Sequence, residues 1–200
     1  MRTWLGARPL VLASRSEVRH VILEQAGIPH IVVPADIDER AIEREAVDGS
    51  EAAILLAREK ALAVAARHPD AVVLGADQTL VVGQQRFSKP ASKGAAREQL
   101  AALAGRTHEL HSAVAVARGK NLAFEHRDIA RLTMRAFSEG FLETYLDAAG
   151  SAATASVGGY QLERSGIQLF ERIDGDYFTI LGLPLLPLLH FLRREGLLME

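Results

Sequence analysis

The chain has no cysteine. That excludes disulfides, thiolate zinc sites and cysteine nucleophiles. Aromatic residues make up only 6% of its 200 residues, and 23 basic side chains face 25 acidic ones. Nucleic-acid binders concentrate positive charge or interleave it with stacking aromatics, so no nucleic-acid partner is expected. No stretch approaches the roughly 20 apolar residues that cross a bilayer. Near the start, Arg8 interrupts any apolar run of the kind a signal peptide carries. The expectation is a cytoplasmic protein with no membrane association. A net charge of −2 still leaves room for a small anionic substrate, because a few local lysines and arginines can build one site. Hydrophobic residues at 48% and charged residues at 24% are globular values, and residues 1–200 read as a single domain.

Apolar runs and their breaks set out the elements. Leu10–Ala13 reads as a buried strand, followed by Ser14-Arg15-Ser16 and a helix over 17–25 that Gly27 ends. A strand at 31–33 leads into an acidic loop, Asp36 to Glu39. Ser50 is the expected cap of a long helix reaching Arg67. Residues 71–75 form an unbroken apolar strand with Asp77 in the loop at its end, and 79–82 is a further strand turned by Gly83. Helices follow over 92–104, from Ser138, and over 184–194; strands follow over 107–117 and 128–135. Asp174-Gly175 signals a hairpin between 167–173 and 177–181. The fold class is α/β: an extended mixed sheet flanked by helices in two lobes around a cleft.

Several side chains have chemical potential. The Ser14-Arg15-Ser16 turn at a helix N-terminus could cradle phosphate with Arg19, or could simply be a capped helix with surface arginines. Asp38, Glu39 and Asp77 lie after strands, where open α/β sheets place ligands. A hard cation takes one or two such carboxylates, while the alternative for each is a cap or a solvated acid. Lys60 lies on a helix face with apolar members and either snorkels or meets an anion. Lys89, held extended before Pro90, either faces a substrate or is a loop charge. His108 and His111 are three apart on a strand, which disfavours a zinc pair.

The order of these features is more specific than any one of them. Leu12-Ala13-Ser14-Arg15-Ser16-Glu17-Val18-Arg19 with Gly27, Asp38-Glu39, Arg58-Glu59-Lys60-Ala61, Gly75-Ala76-Asp77-Gln78, Ser88-Lys89-Pro90, Gly105-Arg106-Thr107-His108 and Gly182-Leu183-Pro184-Leu185 together resemble the Maf family of nucleoside triphosphate pyrophosphatases. The resemblance implies a fold similar to inosine-triphosphate pyrophosphatases and hydrolysis to monophosphate and pyrophosphate. It implies Asp77 as general base, and Glu39 with Asp77 as the ligands of a divalent metal, Mg²⁺ or Mn²⁺. Arg19, Lys60 and Lys89 would contact the triphosphate, and Ser14 and Ser16 would form the loop around it. Glu163 and Gln78 look more like the branch acting on 7-methyl-GTP than the dTTP/UTP branch. Val18 stands where that branch favours Trp, and Glu17 stands where the family often has Pro. These three, Val18, Gln78 and Glu163, are the substrate-side positions that bear on base choice. The rival readings are a non-catalytic nucleotide-binding regulator and a metal-dependent phosphomonoesterase. Oligomeric state, a homodimer included, is left open.

Overall fold

A computed structural model describes residues 3–200. In chain order the strands are β1 (Leu10–Leu12), β2 (His30–Val32), β3 (Val73–Val82), β4 (Gln85–Phe87), β5 (Thr107–Arg118), β6 (Asn121–Met134) and β7 (Phe170–Asp174). The helices are α1 (Glu17–Gln25), α2 (Glu39–Glu45), α3 (Gly49–Arg67), α4 (Lys93–Leu103), α5 (Glu139–Ala149), α6 (Ala152–Ala155), α7 (Tyr177–Ile180) and α8 (Leu185–Arg194). The sheet is mixed, in the order β2-β1-β3-β5-β6-β7, with β4 paired to β3. β1 runs parallel to both β2 and β3, whereas β4 is antiparallel to β3 and β7 to β6. The chain divides into two compact units. One takes the chain up to Gln78 with His111–Asp128 and Asp176–Glu200; the other takes Thr79–Leu110 and Ile129–Gly175.

In the first unit the strands are apolar on both sides, so alternate residues feed two cores. Leu10, Leu12, Leu74, Val114 and Val116 pack with Ile22 and Leu23 of α1 and Leu188, Phe191 and Leu192 of α8. Val11, Ala13, Val73, Ala113 and Ala115 pack with Ala53, Ala57, Ala61 and Val64 of α3. The second core is built largely of alanine, and that lets α3 come down onto the sheet backbone. A Cβ placed on Gly75 would stand 2.1 Å from the Ala57 carbonyl oxygen and 2.7 Å from the Ala61 nitrogen. Only glycine permits that approach.

In the second unit α4 packs against α5, and their Leu100, Leu103, Leu142 and Leu146 are buried. Arg97 of α4 reaches Glu143 of α5 at 2.5 Å, and Lys93 pairs with Asp147. His108 is buried here, 1% exposed, and burial pushes its imidazole down to about 4.

Four local expectations change. The long helix starts at Gly49, capped by Asp48 instead of Ser50: Asp48 accepts from the Glu51 amide at 2.8 Å, and Glu51 accepts from the Val47 amide at 2.6 Å. The acidic loop is in part a helix, because Asp38 caps α2 through the Ala41 amide at 3.1 Å. The strands at 71–75 and 79–82 are one ten-residue strand, β3, so Asp77 is mid-strand and not in a loop. No turn residue separates the two halves, and their polar side chains find partners on opposite faces of the sheet. The 174–175 hairpin is absent: β7 pairs with β6 instead, residues 165–169 form a 3₁₀ turn, and Asp176 caps α7 through the Thr179 amide at 3.0 Å.

Two outcomes follow from this packing. Gly75→Ala should cost at least ~2 kcal/mol of unfolding free energy, the scale of core overpacking, measured by urea denaturation. His108 generates a pH effect of defined sign. The unfolded imidazole takes a proton near its ordinary value, while the folded one holds out to about 4. Stability therefore falls as pH drops through that window, by up to ~1.4 kcal/mol per unit. Denaturation curves at pH 7, 6 and 5 should show this slope flattened in His108→Phe relative to wild type.

Candidate active site

The close seat of α3 on β3 brings three charged side chains together. Lys60 leaves α3 beside Ala61, and its Nζ donates to Asp77 Oδ1 at 2.6 Å. The same ammonium pairs with Glu39 Oε1 at 2.8 Å. Lys60 and Asp77 are buried at 6% and 9% exposure, whereas Glu39, at the first turn of α2, is half exposed on its side chain. Buried charges persist only when paired, and here one cation holds two carboxylates.

Arg19 reinforces the end of β1 from the other side. Its Nε donates to the Gly182 carbonyl at 2.8 Å, and its Nη1 to Ala76 O at 2.7 Å and Ser14 Oγ at 3.0 Å. Burial lowers the guanidinium's proton affinity, and the Asp77 and Glu39 carboxylates act against that lowering. Ser14 Oγ also accepts from the Ser16 amide at 3.2 Å, which shapes the turn into α1. Ser16 caps that helix without a side-chain bond, so the first-turn amides remain open toward an anion. Val18 is half-buried against the α1–α8 core.

Gln78 points to the opposite face of β3 from Asp77. Its Nε2 donates to Ser112 Oγ at 2.9 Å, Ile180 O at 2.9 Å and Thr179 O at 3.2 Å. Ser112 Oγ donates to Thr179 O at 2.6 Å. The amide nitrogen of Gln78 is thus committed to protein acceptors, and its carbonyl oxygen is the atom left for a ligand. Ser112, Thr179 and the carbonyl of Gly182 escape a reading of the sequence, because a backbone acceptor carries no residue-type signal. Gly182-Leu183-Pro184 was the one trace of them. Gly182 has φ +89°, and a Cβ there would crowd Arg19 Nη2 at 3.3 Å.

Lys89 and Glu163 belong to the second unit, and both are exposed. Lys89 precedes the buried Pro90. Glu163 lies in a tight turn, with the Arg164 amide donating to Gln161 O at 3.2 Å. Burial, and then the Glu163 carboxylate, push the Tyr145 phenol up to about 12.

The donor chemistry fits a hard divalent cation. Glu39 and Asp77 each bond the Lys60 ammonium through one oxygen, Oε1 and Oδ1, and each carboxylate has a second oxygen besides. Among the described residues no group of three His, Asp or Glu side chains gathers. Two carboxylate oxygens are what Mg²⁺ takes when phosphate oxygens and water complete its shell. Among the described residues, no helix is long and apolar enough to cross a membrane.

The chain is 56% identical to a nucleoside triphosphate pyrophosphatase of Bradyrhizobium diazoefficiens, covering 99% of each chain. It is 50% identical to a 7-methyl-GTP pyrophosphatase of Brucella abortus, covering 93% of this chain and 96% of that one. A solved HAM1 protein from Coxiella burnetii is 17% identical at a TM-score of 0.43, over 63% of this chain and 72% of that one. The model of the Maf-like proteins matches residues 9–195, and with that extent of match the chain belongs to the Maf family.

Proposed function

We propose that this protein hydrolyses nucleoside triphosphates between the α and β phosphates, releasing the monophosphate and pyrophosphate. The observation that carries the reading is the Lys60 ammonium held between Glu39 and Asp77. The Maf family membership and the names of the two pyrophosphatase relatives support the same reading.

Hydrolysis of a phosphoanhydride needs an oriented water, a base and positive charge over the phosphate oxygens. Asp77 is the base. Lys60 fixes its Oδ1, and Oδ2 takes the water's proton as the new P–O bond forms and the α–β bridge bond breaks. The ammonium of Lys60 and the first-turn amides of α1, which follow Ser14-Arg15-Ser16, receive phosphate oxygens. Arg19 adds its charge from behind this turn while its Nε and Nη1 bonds hold the Ser14 and Gly182 segments in place. Lys89 adds a further ammonium for the triphosphate. Mg²⁺ or Mn²⁺ held by Glu39 and Asp77 would supply a Lewis acid that draws charge from the phosphate oxygens. Glu163 governs base choice. A carboxylate only accepts hydrogen bonds, and guanine offers two adjacent donors where uracil offers one between two carbonyls. Val18 has no aromatic face for a cationic methylated purine, so selectivity for 7-methyl-GTP over GTP is modest.

Incubation with GTP and Mg²⁺ should yield pyrophosphate with no early orthophosphate. Orthophosphate appearing first would identify a phosphomonoesterase, and no turnover across a nucleotide panel would leave a binding protein. In the same assay Asp77→Asn should lose about 10²–10⁴ in kcat, with the fold retained by circular dichroism. An undiminished kcat would remove Asp77 from the mechanism.

For base choice, kcat/KM should be higher for GTP than for UTP or dTTP. Glu163→Gln should narrow the gap, since an amide presents a donor as well as an acceptor. Faster turnover of UTP or dTTP by the wild type would overturn this assignment.

A further inference from the structure

The Gly105-Arg106-Thr107-His108 stretch has no role in the chemistry above, yet its histidine lies at the base of the turn that carries Glu163. His108 Nε2 is 2.7 Å from the Tyr160 hydroxyl. Its ring centroid is 5.6 Å from that of Tyr160 and 5.8 Å from that of Phe170. Tyr160 and Phe170 also meet edge to face at 4.9 Å. These two aromatics are the residues at which the 161–169 segment leaves and re-enters the body of its unit. His108 therefore touches both stems of one closed segment.

The segment itself has little freedom. Gly166 sits against the Gln161 backbone so closely that a Cβ there would lie 2.4 Å from Gln161 O. On the incoming side, Gly158 and Gly159 have φ of +79° and +76°. A Cβ on Gly158 would lie 2.6 Å from Leu80 Cδ1 and 2.8 Å from the Tyr160 ring. The Tyr145 hydroxyl donates to Gly159 O at 3.3 Å. Tyr160 is the stem of that turn, and the bond from His108 to its hydroxyl opposes rotation of its ring.

His108 Nδ1 is buried with no hydrogen-bond partner, so the ring is anchored through Nε2 and the Tyr160 hydroxyl, a bond across which either group can donate.

We infer that His108 is a positioning residue for nucleotide selection: by holding Tyr160 and Phe170 together it fixes the turn that presents Glu163. The inference rests on Glu163 as the base-selecting residue, and the two are separable by experiment. The measurement is kcat and KM for GTP and UTP in wild type, Glu163→Gln, Tyr160→Phe, His108→Phe and His108→Gln, with thermal melts on each. Tyr160→Phe deletes a single oxygen from a buried ring and keeps the packing, so it tests the bond even where His108→Phe folds poorly.

The GTP:UTP ratio of kcat/KM should move toward unity at least fivefold in Tyr160→Phe and in His108→Phe, through KM for GTP more than through kcat. Combining the two substitutions should add nothing, because both remove one bond. His108→Gln should recover the ratio to within about twofold, since its amide can donate to or accept from the Tyr160 hydroxyl. Lowered melting temperatures with an unchanged ratio, while Glu163→Gln shifts it, would reduce His108 to a stability role and overturn the inference. If Glu163→Gln leaves the ratio unmoved, the base-selection reading of Glu163 is what fails. A ratio still altered by Tyr160→Phe then keeps the clamp, and an unaltered one removes it too.

Discussion

The contact on which the site depends is between two backbones. Gly75 lies where any side chain would meet the carbonyl of Ala57 and the amide of Ala61, and the alanines facing it on α3 add almost no bulk between helix and sheet. The gap between them is therefore set by main-chain atoms, which do not adjust as side chains do. Asp77 follows Gly75 by two residues on the same face of β3, and Lys60 immediately precedes Ala61 on α3. Seating the helix seats the ion pair. A buried pair loses much hydration on folding, and the loss is offset only by near-ideal geometry. The 2.6 Å contact between Lys60 and Asp77 is a consequence of the glycine.

The opposite face of β3 is held by polar contacts of a different kind. Gln78 and Arg19 both donate to backbone carbonyls of the segment that ends at Gly182: Gln78 at residues 179 and 180, Arg19 at 182. Arg19 also takes the carbonyl of Ala76. β3 is thus fixed by main-chain contact on one side and by charged or amide donors on the other. A side chain carried mid-strand and supported on both faces has far less positional freedom than one on a loop. This suits the proposed role of Asp77, which requires the nucleophilic water to lie in line with the breaking bond.

The residues proposed for chemistry and for base choice fall on different stretches of chain. Glu39, Lys60, Asp77 and Arg19 belong to one compact unit, Glu163 and its supports to the other. His108 belongs with Glu163 although it shares β5 with Ser112, which supports Gln78. One strand therefore carries both His108 and Ser112, four residues apart. A neutral, buried imidazole suits that place, because a charged ring there would lack the counter-ion that Lys60 has.

Elements and motif positions were legible in the sequence wherever one residue type carried the signal by itself. The doubly buried strands showed as unbroken apolar runs, α4 and α5 announced themselves through Ser92 and Ser138, and the ordered motif blocks pointed to the Maf family. Local pattern misled where two signals competed. Ser50 and Asp48 are both good caps, and the stronger acceptor with Glu51 behind it prevailed. Asp174-Gly175 looks like a hairpin turn, but Asp176 just beyond it caps a helix. The polar Asp77-Gln78 looked like the end of a strand, because partners on two opposite faces cannot be seen along one dimension. Sequence by itself determined which residue types were present and in what order, and hence the fold class, the family and the candidate acids and bases. Tertiary structure decided which of them meet: that Arg19 and Gln78 donate to carbonyls, that Lys60 bridges two carboxylates, and that His108 underlies the Glu163 turn. These are contacts between residues distant along the chain, several of them to backbone atoms that every residue possesses, and only the packing of helices on the sheet selects among such atoms.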